Sequence, residues 1–249
     1  MNQEQNKLII IPDVHGRDFW RDAVRENPDA RFIFLGDYLD PYPWEGVTVG
    51  KAFRGLQDIV AFKEAHPDRV TLLWGNHDLH YLYPDLGGCR YDYVNGERNA
   101  RFFDAHRALF GLAWETEAAG KRFLFSHAGV GRQWLQRHWP DLKTEELSAG
   151  LFNEQFGHGA FMSALGDVSF YRGGWDPYGS MIWADEHEHR DEENRIPGIV
   201  QVFGHTLMDY PVSYDGEVYC LDCRRAFVLN PGDGRIRDLV TGTPVEEKV

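Results

Sequence analysis

Five short motifs each place a metal-binding side chain beside a glycine or small residue after an apolar stretch. Their aspartate, asparagine and histidine side chains are oxygen and nitrogen donors that suit divalent cations. Two aspartates, one asparagine and three histidines could hold two ions side by side, and one more histidine and aspartate remain for proton transfer. The combination predicts metal-assisted hydrolysis of a phosphoester. The motifs are Asp13-Val14-His15-Gly16, Gly36-Asp37-Tyr38-Leu39-Asp40, Gly75-Asn76-His77-Asp78, Ser126-His127-Ala128-Gly129 and Gly204-His205-Thr206.

The first three motifs each follow a short apolar run, and between these runs lie segments whose apolar residues have helical spacing. This alternation is typical of βαβ units, whose strands are parallel and whose carboxyl ends share one edge of the sheet. We therefore expect an α/β fold with the donors gathered at that edge. The predicted strands are 7–12, 31–35, 70–74, 112–116 and 122–126, and the predicted helices are 17–26, 47–65 and 98–110.

The second half of the chain is organised differently. Residues 131–197 are rich in Trp, Gly, His and charge and are interpreted as a cap or insertion, with a helix at 145–156 and an exposed charged loop at 185–195. Mostly antiparallel strands should follow, with hairpin turns at Asp215-Gly216 and Asp233-Gly234. Without a linker or repeat, residues 1–249 are predicted to form one domain. The later strands are predicted at 199–203, 210–214, 217–221, 226–230 and 235–240.

The order of the five motifs resembles that of the calcineurin-like metallophosphatases, in particular their phosphoprotein-phosphatase-type branch. The shared patterns are D-x-H-G, G-D-x-x-D, G-N-H-D, H-[AG]-G and G-H-T, and they span residues 10–206. The resemblance implies a four-layered α/β/β/α sandwich with a helical cap around 131–197. It also implies two metal ions at the carboxyl edge of the sheets.

The same resemblance implies a role for each motif residue. Manganese is the expected metal, with iron or zinc as possibilities, and a hydroxide bridging the two ions would attack phosphorus. His77 would be the general acid for the leaving oxygen, while Asp40 would orient it and keep it protonated. The implied ligands are Asp13 and His15 for the first metal, Asp37 as the bridge, and Asn76, His127 and His205 for the second.

Three departures from the family pattern affect the expected substrate. Leu207 stands where many phosphodiesterases of the superfamily carry a second histidine, which favours a phosphomonoesterase. Pro41 and Trp74 stand where protein phosphatases usually carry arginines. Phosphate oxygens that no metal binds still need guanidinium partners. We expect these to come, in order of preference, from Arg172, Arg195 and Arg17.

Composition limits the partners and the compartment. The formal net charge of −13 argues against binding to nucleic acid polymers or anionic membranes. Three cysteines do not suggest a disulfide framework, and Cys220 and Cys223 are interpreted as two half-buried thiols. No apolar run is long enough to span a bilayer, so we expect a cytoplasmic protein.

The sequence leaves three functions open. The first is a phosphomonoesterase resembling serine/threonine protein phosphatases, acting on a phosphoprotein. The second is a hydrolase of dinucleoside polyphosphates or other small nucleotide or phosphodiester substrates, which the aromatic residues at 38–44 and 171–183 would help to bind. A weaker third is a non-catalytic metal-binding scaffold.

Overall fold

The computed structural model describes residues 7–246, and within that range the chain forms two mixed β-sheets and eight α-helices. The strands are β1 (Leu8–Ile11), β2 (Arg31–Phe34), β3 (Val70–Leu73), β4 (Phe110–Gly111), β5 (Ala113–Ala118), β6 (Lys121–Ser126), β7 (Ile199–Phe203), β8 (Val212–Tyr214), β9 (Val218–Cys220), β10 (Phe227–Leu229) and β11 (Ile236–Asp238). The helices are α1 (Phe19–Glu26), α2 (Val49–Ala65), α3 (Asn76–Leu79), α4 (Gly96–His106), α5 (Arg132–His138), α6 (Ala149–Gln155), α7 (Gly159–Leu165) and α8 (Glu186–Arg190).

Both sheets combine parallel and antiparallel strands. The first has the order β11-β10-β1-β2-β3-β4, in which β1 to β4 are parallel and β10 and β11 antiparallel. The second has the order β5-β6-β7-β9-β8, in which β6, β7 and β9 are parallel and the two edge strands antiparallel. The carboxyl ends of seven parallel strands therefore point to the region that holds the predicted site.

Strand β1 shows how the layers form. Ile9 and Ile11 belong to the core cluster shared with α1 and α2, whereas Leu8 and Ile10 belong to the cluster shared with the second sheet. Because successive side chains of a strand point to opposite faces, an unbroken apolar run suits a strand covered on both sides. The predicted four-layered α/β/β/α arrangement is confirmed.

Several predicted bounds shift by a few residues, and two strand pairings differ in direction from the prediction. Phe110, predicted at the end of a helix, instead begins β4 and pairs with Leu72. Strand β7 is parallel to both of its neighbours, β6 and β9, so the expectation of mostly antiparallel strands is wrong for these two pairings, whereas β9 is antiparallel to β8. The hairpin between β8 and β9 turns as predicted at Asp215 and Gly216, with φ of 51° and 63°.

Helices α5 to α8 lie in the segment that was predicted to be a cap. The predicted helix at 145–156 is a short 3₁₀ turn, Thr144–Glu146, followed by α6. Trp134, Phe152 and Phe161 join the same core cluster as β1 and α2, so the segment packs into the core on the helical side. Among residues 7–246, no helix has both the length and the apolar composition needed to cross a bilayer.

The prediction of an exposed loop at 185–195 is wrong. This segment contains α8, and Glu186, His189 and Arg195 within it are buried. The Asp185 side chain caps the helix by accepting a hydrogen bond from the backbone N–H of His187 at 3.0 Å, and Arg190 pairs with Glu186 at 2.7 Å. Buried charges are tolerated when each has such a partner, and a count of charged residues cannot reveal that.

His189 is a buried neutral histidine of α8, and it makes the stability of the protein depend on pH. Its Nε2 lies 3.1 Å from the Ala128 carbonyl oxygen, and its Nδ1 has no hydrogen-bond partner within residues 7–246. Burial lowers the pKa of His189 to about 4. Between pH 6.5 and 4 the unfolded chain binds a proton that the folded protein does not. Stability from this residue is therefore complete above pH 6.5 and is lost as the pH falls.

We expect His189→Gln to remove that pH dependence. The free energy of unfolding of the parent protein should fall by about 2 kcal/mol more than that of the variant between pH 7 and pH 5. Urea unfolding of the metal-free proteins at both pH values measures this difference. Parallel pH profiles would show that His189 does not stay neutral in the fold.

Candidate metal centre and active site

The six predicted metal ligands converge at the carboxyl ends of both sheets. Asp13 and His15 follow β1, Asp37 follows β2, and Asn76 begins α3 after β3. His127 follows β6 and His205 follows β7, and all six side chains are buried. The side chains of Asp13, His15 and Asp37 form one compact group, and those of Asp37, His127 and His205 form another. Asp37 belongs to both groups.

Hydrogen bonds to the main chain aim the histidines at the centre. His15 Nδ1 donates to the Leu39 carbonyl at 2.7 Å and His127 Nδ1 to the Leu35 carbonyl at 2.8 Å, so in both rings the lone pair that can bind a metal is on Nε2. Burial lowers the pKa of His15 to about 3 and that of His205 well below its ordinary value. Neutral imidazoles with free lone pairs are the form that binds metals.

Asp37 lies between the two groups, as a bridging ligand must. Its Oδ2 is 3.4 Å from His15 Nε2 and its Oδ1 is 3.4 Å from His127 Nε2. Burial would raise its pKa, but the charges of His127, His77 and other neighbours outweigh that effect and lower it far below the usual range. The carboxylate is therefore ionised at every physiological pH.

The distances between donor atoms fit shared cations. His127 Nε2 is 2.9 Å from Asn76 Oδ1 and 3.1 Å from His205 Nδ1. Ligand atoms about 2.1 Å from one ion are roughly 3 Å apart when they subtend a right angle. Asp13 Oδ2 is also buried and has no hydrogen-bond partner in the described part of the chain. A bound cation would satisfy that oxygen, and the residues present thus fit a two-metal site.

The backbone at this centre is strained and tightly packed. His15, Asp37, Asp40 and His205 all have positive φ, between 43° and 63°, a region that L-residues rarely adopt. A Cβ atom at Gly204 would lie 2.1 Å from Asp13 Oδ1, so only glycine allows the two loops to approach. Such strain persists only where the surrounding fold over-determines the conformation.

His77 lies beside the ligands with its ring held by Asp40. Its backbone N–H donates to Asp37 Oδ1 at 2.9 Å, and Nδ1 donates to Asp40 Oδ2 at 2.9 Å. Burial alone would lower the pKa of His77, but the charge of Asp37 and the hydrogen bond to Asp40 raise it to about 10. Both ring nitrogens of His77 are therefore protonated at neutral pH. Its Nε2 is directed away from Asp40 and lies 3.3 Å from Cys89 Sγ.

The three predicted phosphate-binding arginines have different surroundings. Arg17 forms a two-bond pair with Glu45, at 2.7 and 3.0 Å, and donates to the Asp13 carbonyl. The Arg195 guanidinium donates hydrogen bonds to the Asp215 carboxylate and to the carbonyls of His189 and Arg190. Arg172 lies 3.4 Å from Asp185, and its charge helps to lower the pKa of His205. The guanidinium groups of Arg17 and Arg195 are thus already engaged by the protein.

Sequence reasoning missed several residues at the site. His80 Nε2 lies 2.8 Å from Asp40 Oδ2, and Tyr81 donates to the other Asp40 oxygen. The Asp78 carboxylate accepts backbone N–H bonds from Gly75, Asp37 and Tyr38 and so ties the second and third motifs together. The spacing of three between His77 and His80 on one helical turn was the available signal.

Two more residues had no sequence signal. Arg90 Nη2 lies 3.3 Å from His15 Nε2, and Asp222 is fully buried, with no hydrogen-bond partner among residues 7–246 for either carboxylate oxygen. Cys220 and Cys223, on either side of Asp222 in the sequence, are free thiols and are buried rather than half-buried.

A 560 Å³ pocket opens at Cys89, whose Sγ lies 3.3 Å from His77 Nε2. It lies between the loop at Gly88 and the loop at 171–176, and Trp183 also lines it. Tyr171 and Trp175 are exposed at this pocket, with fractional exposures of 59% and 97%. It is large enough for the part of a substrate that leaves with the departing oxygen.

Comparison with known proteins agrees with this geometry. The family model described as calcineurin-like phosphoesterase matches residues 7–209. Among solved structures, a protein serine/threonine phosphatase from Saccharomyces cerevisiae with similarity to human phosphatase PP5 is 17% identical, with a TM-score of 0.54. The alignment covers 99% of this chain and 81% of that chain. At this identity the likeness shows the fold alone.

Two further structures are similar over most of this chain. The phosphoesterase Yfce from E. coli is 13% identical, with coverage of 96% of this chain and 97% of that chain and a TM-score of 0.41. The hypothetical protein PH1004 from Pyrococcus horikoshii is 9% identical, with coverage of 98% and 89% and a TM-score of 0.41.

Proposed function

The chain belongs to the calcineurin-like phosphoesterase family of metal-dependent phosphoric ester hydrolases, and from that premise we propose that it is a phosphomonoesterase resembling serine/threonine protein phosphatases. The observation that carries the proposal is the His77–Asp40 pair, a protonated acid placed beside a cluster of metal donors. The replacement of a second histidine by Leu207 favours monoesters over diesters.

The proposed ligands are those at the carboxyl ends of the strands. Asp13, His15 and Asp37 would hold one cation, and Asp37, Asn76, His127 and His205 the other. When bound, two divalent cations, which we propose to be manganese, would supply electrophilic binding of the phosphoryl group and an acidified water. Oxygen and nitrogen donors also suit iron or zinc.

The residues of the chain then perform the proton chemistry. His77 donates its Nε2 proton to the leaving oxygen as the phosphorus–oxygen bond breaks. Asp40 holds the ring by Nδ1, keeps Nε2 directed at that oxygen, and stabilises the charged form of the ring. Tyr81 and His80 in turn fix Asp40. The departing group leaves toward Cys89 and the pocket beside it.

One observation favours a second candidate, the hydrolysis of dinucleoside polyphosphates or similar nucleotides. The aromatic rings of Tyr171 and Trp175 stand exposed at the 560 Å³ pocket, where a nucleobase could stack. The reaction would use the same ligands and the same acid.

Initial rates on a substrate panel separate the two candidates. The protein would be stripped with chelator, reconstituted with manganese, and assayed on p-nitrophenyl phosphate, its bis-ester, a phosphothreonine peptide and diadenosine tetraphosphate. We expect metal-dependent turnover of the monoesters, with the peptide preferred. Preference for the dinucleotide would select the second candidate, and turnover of the bis-ester alone would contradict both.

A further inference from the structure

Arg90 stands out because, among residues 7–246, this cation beside the candidate metal ligands has no counter-ion. The groups that its guanidinium contacts are uncharged. Nε donates to the Asp40 carbonyl at 3.2 Å, Nη2 lies 3.3 Å from His15 Nε2, and the guanidinium lies 3.8 Å from the centre of the Tyr42 ring. Within residues 7–246 it forms no ion pair with a carboxylate. In a chain with a net charge of −13 this is unexpected.

The other arginines near the site are neutralised within the protein. Arg17 pairs with Glu45, Arg172 with Asp185, and Arg195 with Asp215. A guanidinium that is partly buried usually finds a carboxylate, since the pair offsets the cost of removing the charge from water. Arg90 therefore has donors left for an anion that the protein itself does not supply.

The position of Arg90 is fixed by its loop. Gly88 packs so closely on α3 that a Cβ there would lie 2.8 Å from His80 Nδ1. The Tyr91 ring packs on the rings of His80 and Tyr81, with centroids 5.0 and 4.7 Å apart. Arg90 itself has a φ of 52°, a strained conformation for an L-residue that is found preferentially at functional sites. The loop thus directs the guanidinium into the site.

Electrostatics defines what this cation would bind. A divalent cation on His15 Nε2 would repel a guanidinium 3.3 Å from that atom unless an anion lay between them. A phosphoryl group supplies such an anion, and its oxygens match the planar fork of an arginine. Arg90 would then bind the phosphoryl group next to His15, while His77 protonates the leaving oxygen.

We propose that Arg90 binds a terminal phosphoryl oxygen of the substrate and thereby selects phosphomonoesters over diesters. A monoester carries close to two negative charges on three terminal oxygens at neutral pH, whereas a diester carries one charge on two. In a diester the third oxygen bears a carbon or phosphorus substituent, and the two charged oxygens would be taken by the two cations, so no charged acceptor would be left for Arg90. The same holds for the internal phosphates of a dinucleoside polyphosphate. The inference rests on the proposed function, because it concerns the substrate of that site.

The test compares Arg90→Gln with the parent protein on two substrates. We expect kcat/KM for p-nitrophenyl phosphate to fall roughly 10- to 150-fold, the value of one charge-assisted hydrogen bond. The rate on bis-p-nitrophenyl phosphate should change by less than about threefold, since that substrate offers no such bond. The ratio of monoester to diester activity should therefore fall at least tenfold. Arg90→Lys should recover little, because lysine lacks the planar fork.

Arg224→Gln is the matched control. Arg224 also has a positive φ, 64°, but its guanidinium pairs with Glu45 at 3.0 Å. This variant removes the same charge from the same backbone conformation, and its substrate ratio should equal that of the parent protein.

A binding measurement separates this inference from the proposed function. Calorimetric titration of the manganese-loaded proteins with inorganic phosphate should show affinity lowered by a similar factor in Arg90→Gln, with metal content unchanged. Loss of metal from the variant, or equal losses on both substrates with unchanged phosphate affinity, would overturn the role of Arg90. A parent protein that fails on all monoesters, yet binds phosphate through Arg90, would overturn only the proposed function.

Discussion

Asp37→Asn is expected to lose tight binding of at least one metal ion and about 10³-fold or more of kcat/KM. Asp37 contacts ligands of both groups, at 3.4 Å from His15 and 3.4 Å from His127, and it is the one carboxylate common to them. Asparagine keeps the oxygen that accepts the His77 N–H bond but removes the negative charge that two neighbouring cations require. Metal ions supply several kcal/mol of transition-state stabilisation, and about 4 kcal/mol corresponds to three decades of rate.

Metal content after dialysis, measured by atomic emission, gives a readout that does not depend on activity. Asp104→Asn is the matched control, because the same chemical change is made at an exposed position of α4, where Asp104 pairs with Arg107. The control should keep both ions and full activity. A variant of Asp37 that retains two tightly bound metals would remove the bridging assignment.

The second large effect is expected at His77. In His77→Asn, kcat should fall about 10²- to 10⁴-fold on a phosphothreonine peptide, the usual contribution of a general acid. The loss should be less than about tenfold on p-nitrophenyl phosphate, because p-nitrophenolate is a stable anion that leaves without a proton. Metal content should not change, since His77 is proposed as an acid and not as a ligand.

The dependence on the leaving group is what distinguishes an acid from a structural residue. Equal losses on both substrates would mean that His77 supports the site without protonating the departing oxygen. His158→Asn, at an exposed histidine preceding α7, serves as the control and should leave both rates unchanged.

Much of the fold follows from the sequence because local patterns carry it. The β-branched run of β1 predicted a strand covered on both faces, and Ile9 and Ile10 lie in the two different core clusters on either side of it. The motifs also predicted which side chains would gather, because parallel strands bring their carboxyl ends to a common edge.

The charged segment around α8 shows where local reasoning fails. Counting charges predicted an exposed loop, yet Glu186 is fully buried beside Arg190 and Tyr214. Burial of a charge depends on which partners the fold brings to it, and those partners come from other parts of the chain. The direction of β7 and β9 was missed for a related reason, since a strand's own residues do not specify its neighbour.

The sequence by itself determined the kinds of donor, their order and the strand ends that carry them. Only the tertiary structure decided which arginine faces the metal donors. Arg17, Arg172 and Arg195 were expected from motifs and neighbouring sequence, whereas Arg90 reaches His15 across 75 positions of the chain. The reason is physical: the packing of Gly88 and Tyr91 on α3 sets the direction of that side chain, and contacts between distant segments exist only once the chain has folded.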